Sequence, residues 1–143
     1  MTLVFKYKRI DRPEPFPSEA APAIPVTLIG PKEKINVIGL LDSGADFSFI
    51  PYDMAEVLGL DLTEKPQDIG DISGTVLSIP STMKINIQKG KENYTLRVGV
   101  YVSAKDMDDD FPILIGRDGF FEQFKITFIE SEKRIHLKKH EKQ

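Results

Sequence analysis

Apolar and polar residues alternate over short runs along most of the chain, and glycine, proline and charged clusters cut the runs. Ile24-Pro25-Val26-Thr27-Leu28-Ile29 is strand-like and stops at Gly30-Pro31-Lys32. Lys34 to Leu41 resumes strand character, so the two segments read as a hairpin across the Gly-Pro turn. Met83 to Gln88 alternates, turns at Lys89-Gly90-Lys91 and returns through Tyr94 to Val102, the clearest hairpin in the chain. Gln67 to Ile79 carries Gly70 and Gly74 near a turn and predicts a hairpin with a mobile, glycine-bearing tip. Lys125 to Ile129 and Lys133 to Lys138 form a terminal hairpin around Glu130-Ser131-Glu132. Leu3 to Tyr7 suits a short edge strand, and the apolar run Phe111 to Ile115 ends at Gly116-Arg117-Asp118-Gly119. Helix is scarce: Tyr52 to Leu58, between Pro51 and Gly59, and a helical turn at Phe120 to Phe124. Short strands with frequent turn signals and little helix describe an all-β, barrel-like domain.

Proline changes the picture at the start of the chain. Pro13, Pro15, Pro17, Pro22 and Pro25 fix φ and remove donors, so residues 11–23 read as an extended arm. The organisation is then a proline-rich arm over 1–23, one domain over 24–138 and a charged, frayed tail over 139–143. A chain of 143 residues is one domain by size and buries a core without staples.

Composition mostly excludes. There is no cysteine, hence no disulfide framework and no thiolate chemistry. The two histidines, His136 and His140, both lie in the charged tail region, which argues against a histidine zinc site or a Ser-His triad. Net charge is -3 with no basic face, which gives nucleic-acid binding little support. No apolar run approaches a membrane span, and Leu3-Val4-Phe5 is followed at once by charge rather than by a signal region. The expectation is a soluble, cytoplasmic protein. Asp106 to Asp110 is acidic, but lacks the glycine and distal Glu of a calcium loop and reads as a solvated surface loop.

One stretch carries chemistry: Val37-Ile38-Gly39-Leu40-Leu41-Asp42-Ser43-Gly44-Ala45-Asp46-Phe47-Ser48-Phe49-Ile50-Pro51. An apolar strand enters it and another leaves it. Burying a carboxylate beside Leu40 and Leu41 costs several kcal/mol unless its charge is paired, shared or neutralised. Asp42 is therefore a satisfied polar group or a used one. Gly44 permits a tight turn, and Ser43 offers a hydroxyl to fix it. Asp118 is placed to cap the short helical turn that follows it.

These pieces together resemble the single-domain, retroviral-type (retropepsin-like) aspartic proteases. Leu40-Leu41-Asp42-Ser43-Gly44-Ala45-Asp46 is similar to the family's active-site loop, and Ile113-Leu114-Ile115-Gly116-Arg117-Asp118 to its apolar-Gly-Arg-Asp segment. Gly70 to Ile79 sits where the family has its flap. The likeness covers roughly residues 24–138; the leader has no counterpart, Ser43 stands where threonine is commoner, and the flap carries no tyrosine.

The resemblance implies an all-β, closed-barrel-like acid protease fold with one or two short helices. It also implies an aspartic endopeptidase. One Asp-Ser-Gly per chain means that the second carboxylate comes from another copy, so a homodimer with one site on its two-fold axis is expected. Two carboxylates about 3 Å apart share a proton; aspartic proteases are a standard case of this pairing. One carboxylate takes a proton from water while its partner protonates the peptide carbonyl, and activity is bell-shaped on the acidic side. Catalysis falls to Asp42, Ser43 and Gly44, with Ser43 bonding across the dimer. Ala45, Asp46, Ser73, Gly74 and Thr75 fall on the substrate side, where an extended peptide binds as an added strand. Gly116, Arg117 and Asp118 give structural support, with Asp46 paired to Arg117 in a bidentate, partly buried ion pair. No metal or organic cofactor is required. In the viral enzymes chain termini interleave at the interface; here the hairpin over 126–137 is complete, so the interface is built differently.

Two other readings compete. One is a non-catalytic β-barrel dimer of the same fold that binds extended peptides or a protein partner. The other is a small-ligand or structural barrel in which Asp42 is an ordinary buried acid.

Overall fold

A computed structural model of the chain describes residues 1–10, 19–71, 74–104 and 113–141. The prolines at 13, 15 and 17, Ser73 and the acidic stretch 106–110 lie outside the described residues.

The elements run β1 (Thr2–Lys6), β2 (Lys8–Ile10), β3 (Glu19–Ala21), β4 (Ala23–Ile29), β5 (Lys34–Leu41), β6 (Ser48–Ile50), α1 (Tyr52–Leu58), β7 (Gln67–Asp71), β8 (Gly74–Lys89), β9 (Glu92–Ser103), β10 (Ile113–Ile115), β11 (Phe124–Ile129) and β12 (Arg134–Lys139). Short 3-10 turns occupy Phe121–Gln123 and Glu130–Glu132. The fold is all-β, as the alternation predicts. α1 ends where Gly59 turns left-handed at φ 77°, its N–H bonding the carbonyls of Ala55 and Glu56. Ala55 and Leu58 are the residues it buries.

The main sheet has the order β4-β5-β10-β6-β9-β8-β7, and β4 also pairs with β8. That extra pairing closes six strands into a barrel and leaves β7 on its rim. Most neighbours are antiparallel, but β10 runs parallel to β5 and β6 runs parallel to β9. A second sheet, β1-β12-β11, joins the two ends of the chain. β2 and β3 form a separate two-stranded pair on either side of the proline-rich stretch. The described part of segment 1–23 is therefore strand, and β1 delivers Leu3 and Phe5 to the core.

The core is one cluster. Ile24 and Leu28 from β4, Ile85 and Ile87 from β8, Val98 and Val102 from β9, Ile115 from β10 and Ile135 and Leu137 from β12 are all buried in it. Each such side chain contributes about 1.5–3 kcal/mol through burial. The inward set follows a period of two, as along β9 from Leu96 through Val98 and Val100 to Val102. Among the described residues no helix is long and apolar enough to cross a membrane.

Candidate active site

β5 and β10 run side by side, with Leu40 opposite Leu114 and Leu41 opposite Ile115. The ladder continues one step past the end of β5, because the Asp42 N–H donates to the Ile115 carbonyl at 3.0 Å. Asp42 thus leaves the strand with its backbone fixed. The chain then reverses. The Ala45 N–H donates to the Asp42 carbonyl at 3.2 Å, and the Gly44 N–H donates to Asp42 Oδ1 at 2.9 Å. A carboxylate that accepts from the amide two residues on is the Asx-turn device by which short acids shape their own loops. Asp42 is half-buried, while Ser43 and Gly44 are exposed.

The second motif clamps this loop from behind. The Arg117 N–H donates to the Ala45 carbonyl at 2.9 Å, and the Asp118 N–H donates to the Asp46 carbonyl at 2.8 Å. The Gly116 N–H donates to the hydroxyl of Ser48 at 3.1 Å, and both residues are buried. The Arg117 guanidinium pairs with Asp46. The structure therefore brings Asp42, Gly44, Ala45, Asp46, Gly116, Arg117 and Asp118 into one bonded unit.

Two details differ from the sequence expectation. The Asp46–Arg117 pair forms through one nitrogen, Nη2, and both side chains stand largely in solvent rather than partly buried. Its geometry is easily met at the surface, where no desolvation forces a bidentate fit. Asp118 does not cap the turn after it. Its carboxylate accepts from the Gly99 N–H of β9 at 2.9 Å, and Glu122 takes the Gly119 N–H at 2.8 Å instead. The carboxylate reaches the barrel wall because Gly99 has no side chain there; a Cβ on Gly99 would lie 2.9 Å from Asp118 Oδ2.

Gly74 and Thr75 sit on the β7–β8 hairpin, where Asp71 opposite Gly74 is the last described pair. Gly74 has φ 141°, a conformation that L side chains rarely adopt. None of the hydrogen bonds among the described residues joins this hairpin to the Asp42 loop. Ser73, expected on the substrate side, lies outside the described residues.

Sequence reasoning missed Ser48. It sits in the apolar run from Phe47 to Ile50 and is fully buried, yet its hydroxyl orients the glycine of the second motif. The available signal was a hydroxyl in a run otherwise fit for the core, since such a group needs a partner. Phe47 is a second omission: it is partly exposed beside the loop, edge-on to Tyr101 with ring centroids 5.2 Å apart.

Asp46 carries a cation, and Asp118 carries a backbone donor from another strand. Asp42 is left as the carboxylate of the loop bonded only by its own turn, among the described residues. It is rigidly placed and open to one side, which suits a proton acceptor or donor acting on something outside the chain.

No family model matches the chain, and no curated protein matches it by sequence. Solved structures do match. A retropepsin-like aspartic protease from Rickettsia conorii aligns over 96% of this chain and 92% of its own, with a TM-score of 0.53 and 20% identity. The EIAV protease, solved with an inhibitor, aligns over 69% of this chain and 84% of its own, with a TM-score of 0.45 and 23% identity. The first likeness fixes the architecture: the chain has a retropepsin-like fold.

Proposed function

From this retropepsin-like fold we propose that the protein is an aspartic endopeptidase that works as a homodimer. The observation that carries the reading is the Asp42 turn, clamped by Gly116, Arg117 and Asp118 and presenting one carboxylate. General acid–base hydrolysis of a peptide needs two carboxylates facing one water, so a second copy supplies the other. The ionised Asp42 takes a proton from water as the water oxygen bonds to the peptide carbonyl carbon. The protonated Asp42 of the second copy gives its proton to the carbonyl oxygen. Collapse of the tetrahedral species breaks the C–N bond: the amine leaves with the proton of the first Asp42, and the Asp42 of the second copy takes back the proton of the hydroxyl that becomes the new carbonyl, which restores the shared proton. An extended peptide lies between the Asp42 turn and the β7–β8 hairpin, with Ala45 and Asp46 below it and Gly74 and Thr75 above. Ser43 bonds across the dyad and keeps it planar.

The test is cleavage of an unfolded protein substrate from about pH 3 to 7, wild type beside Asp42→Asn. The expected result is a bell-shaped profile, with a loss of about a hundredfold or more in the variant. Equal cleavage by both proteins overturns the reading. A folded dimer that cleaves nothing shifts it to a non-catalytic barrel that binds extended peptides.

A further inference from the structure

The sheet β1-β12-β11 turns one face to the core and the other to solvent. Leu3 and Phe5 of β1 and Ile135 and Leu137 of β12 are buried, so the residues alternating with them point outward. Residues directly opposite in an antiparallel ladder share a face. On the outer face the opposed residues carry charge of one sign: Lys6 stands opposite Arg134, and Lys138 stands opposite Lys125. His136 lies between the two pairs, flanked by Val4 on β1 and Thr127 on β11. β1, β11 and β12 contain no aspartate or glutamate. The four cationic residues are exposed, and among the described residues none of them takes part in an ion pair. The expectation of no basic face, drawn from the net charge of -3, is therefore corrected. The face is assembled by pairing the two ends of the chain, so no local run announces it. Like charges directly opposite each other on a sheet oppose folding. A fold that keeps two such pairs on one face, with no acid between them, leaves that charge to something outside the chain.

We propose that the outer face of β1-β12-β11 docks an extended, acidic segment of a protein partner. The inference goes beyond the peptidase reading and does not depend on it. Three features select this occupant. The first is charge: the face offers Lys6, Arg134, Lys138 and Lys125 and no acid, so it attracts carboxylates and repels basic segments. The second is spacing. Outward residues of a strand repeat at about 7 Å, so Arg134, His136 and Lys138 span about 14 Å along β12. Acids on alternate positions of an extended peptide repeat at the same interval. One acid then meets the Lys6–Arg134 pair, an acid four residues on meets the Lys125–Lys138 pair, and the side chain midway faces the imidazole of His136, a hydrogen-bond donor. The third is what the face lacks. No aromatic residue points outward from it, so the bases of a single-stranded nucleic acid find no stacking platform. Its outward apolar residues, Val4 and Ile129, are aliphatic and half-buried, and supply no wedge for a lipid bilayer.

The probe is a fluorescent peptide of alternating glutamate and serine, titrated with the full chain at low salt beside the same peptide carrying glutamine for glutamate. The glutamate peptide is expected to bind and to be released by salt, and the glutamine peptide is expected not to bind. Lys6→Glu combined with Lys125→Glu sets an acid against each remaining cation of the two pairs. Binding is then expected to fall about tenfold or more. The urea midpoint is expected to hold or rise, because repulsion across the strands becomes attraction. Lys84→Glu combined with Arg97→Glu makes the same change in net charge at a pair opposed on the barrel wall, and is expected to bind as wild type does. A wild type that does not bind the glutamate peptide overturns the proposal. So does unchanged binding in the first variant, or a loss accompanied by a fallen midpoint, which would make the two lysines structural. An equal loss in the barrel variant overturns it too, since net charge and not this face would then govern binding. Tighter binding of oligothymidine or of phosphatidylserine vesicles than of the peptide, lost in the first variant, would assign the face to nucleic acid or to membrane and overturn the proposal in the same way.

Discussion

Gly116 lies so close to the backbone of Phe47 that a Cβ added to it would sit 2.3 Å from the Phe47 carbonyl carbon and 2.4 Å from its oxygen. No rotamer relieves such a contact, because the obstacle is main chain on the same loop that Ala45 and Asp46 anchor. Gly116→Ala is therefore expected to destabilise the fold by about 2 kcal/mol or more, as overpacking does. Gly90 provides the contrast: it has φ 60° and nothing within 4 Å of an added Cβ. Gly90→Ala should cost only the left-handed backbone term, about 1 kcal/mol. Urea unfolding of the two variants measures both. Equal effects would mean that the Phe47 loop yields freely.

Among the described residues the Ser48 hydroxyl is the side-chain group that accepts the Gly116 N–H, at 3.1 Å and away from water. Ser48→Ala leaves that donor unpaired in the interior, which costs about 1–3 kcal/mol. The urea midpoint should fall with an unchanged slope, because the loss is of stability and not of surface exposed on unfolding. Ser48→Cys, which nearly preserves shape while weakening the acceptor, should fall between the two. An unchanged midpoint in Ser48→Ala would mean that another acceptor takes the bond.

Arg117 invites the opposite expectation. Its side chain is 54% exposed and that of Asp46 is 72% exposed, so water screens their pairing. The loop is held at this point by main chain, through the Arg117 N–H to the Ala45 carbonyl, and that bond survives any side chain. Arg117→Ala is expected to change the stability of the single chain by less than about 1 kcal/mol. A loss as large as that of Ser48→Ala, read by the same unfolding titration, would mean that the pair is buried by a second copy.

Local signals made most strands legible. β4 with β5, β8 with β9 and β11 with β12 are hairpins, and each announces itself through alternation flanking a glycine or charged turn. The parallel pairs β5–β10 and β6–β9 carry no such sign, since parallel neighbours need distant connections. The same holds for β1 against β12, which joins residues from opposite ends of the chain. Pro80 hid the continuity of β8. It reads as a break, yet the strand runs through it with Pro80 opposite Tyr101. It is tolerated because β8 is paired on its other side only at 74–78, with β7, and at 84–86, with β4. Pro80 falls in the gap, where no ladder bond is asked of it on that side. In the site, the two motifs were legible as residue patterns. Their mutual hydrogen bonds, the Ser48 support and the turn of Asp118 toward Gly99 were not, because each depends on which distant backbone comes alongside.

Tyr7 links stability to pH at the junction of β1 and β12. Burial raises the pKa of its hydroxyl above the usual 10, and a hydrogen bond to Glu130 together with that residue's charge adds to the rise, against a smaller opposing effect of Lys133. Its backbone is fixed as well, with the N–H on the Lys133 carbonyl at 2.8 Å. Since the folded pKa lies above the unfolded one, the unfolded chain loses its proton first as pH rises. Stability from this group is whole below about pH 10 and is lost as pH climbs through the folded value. Wild type should therefore lose stability from about pH 10 upward more steeply than Tyr7→Phe, whose phenyl ring keeps the packing and cannot ionise. Urea midpoints of the two proteins, measured at about pH 8 and again above pH 10, decide the matter. Parallel declines would place the alkaline sensitivity elsewhere in the chain, while convergence of the two curves at high pH assigns it to this hydroxyl.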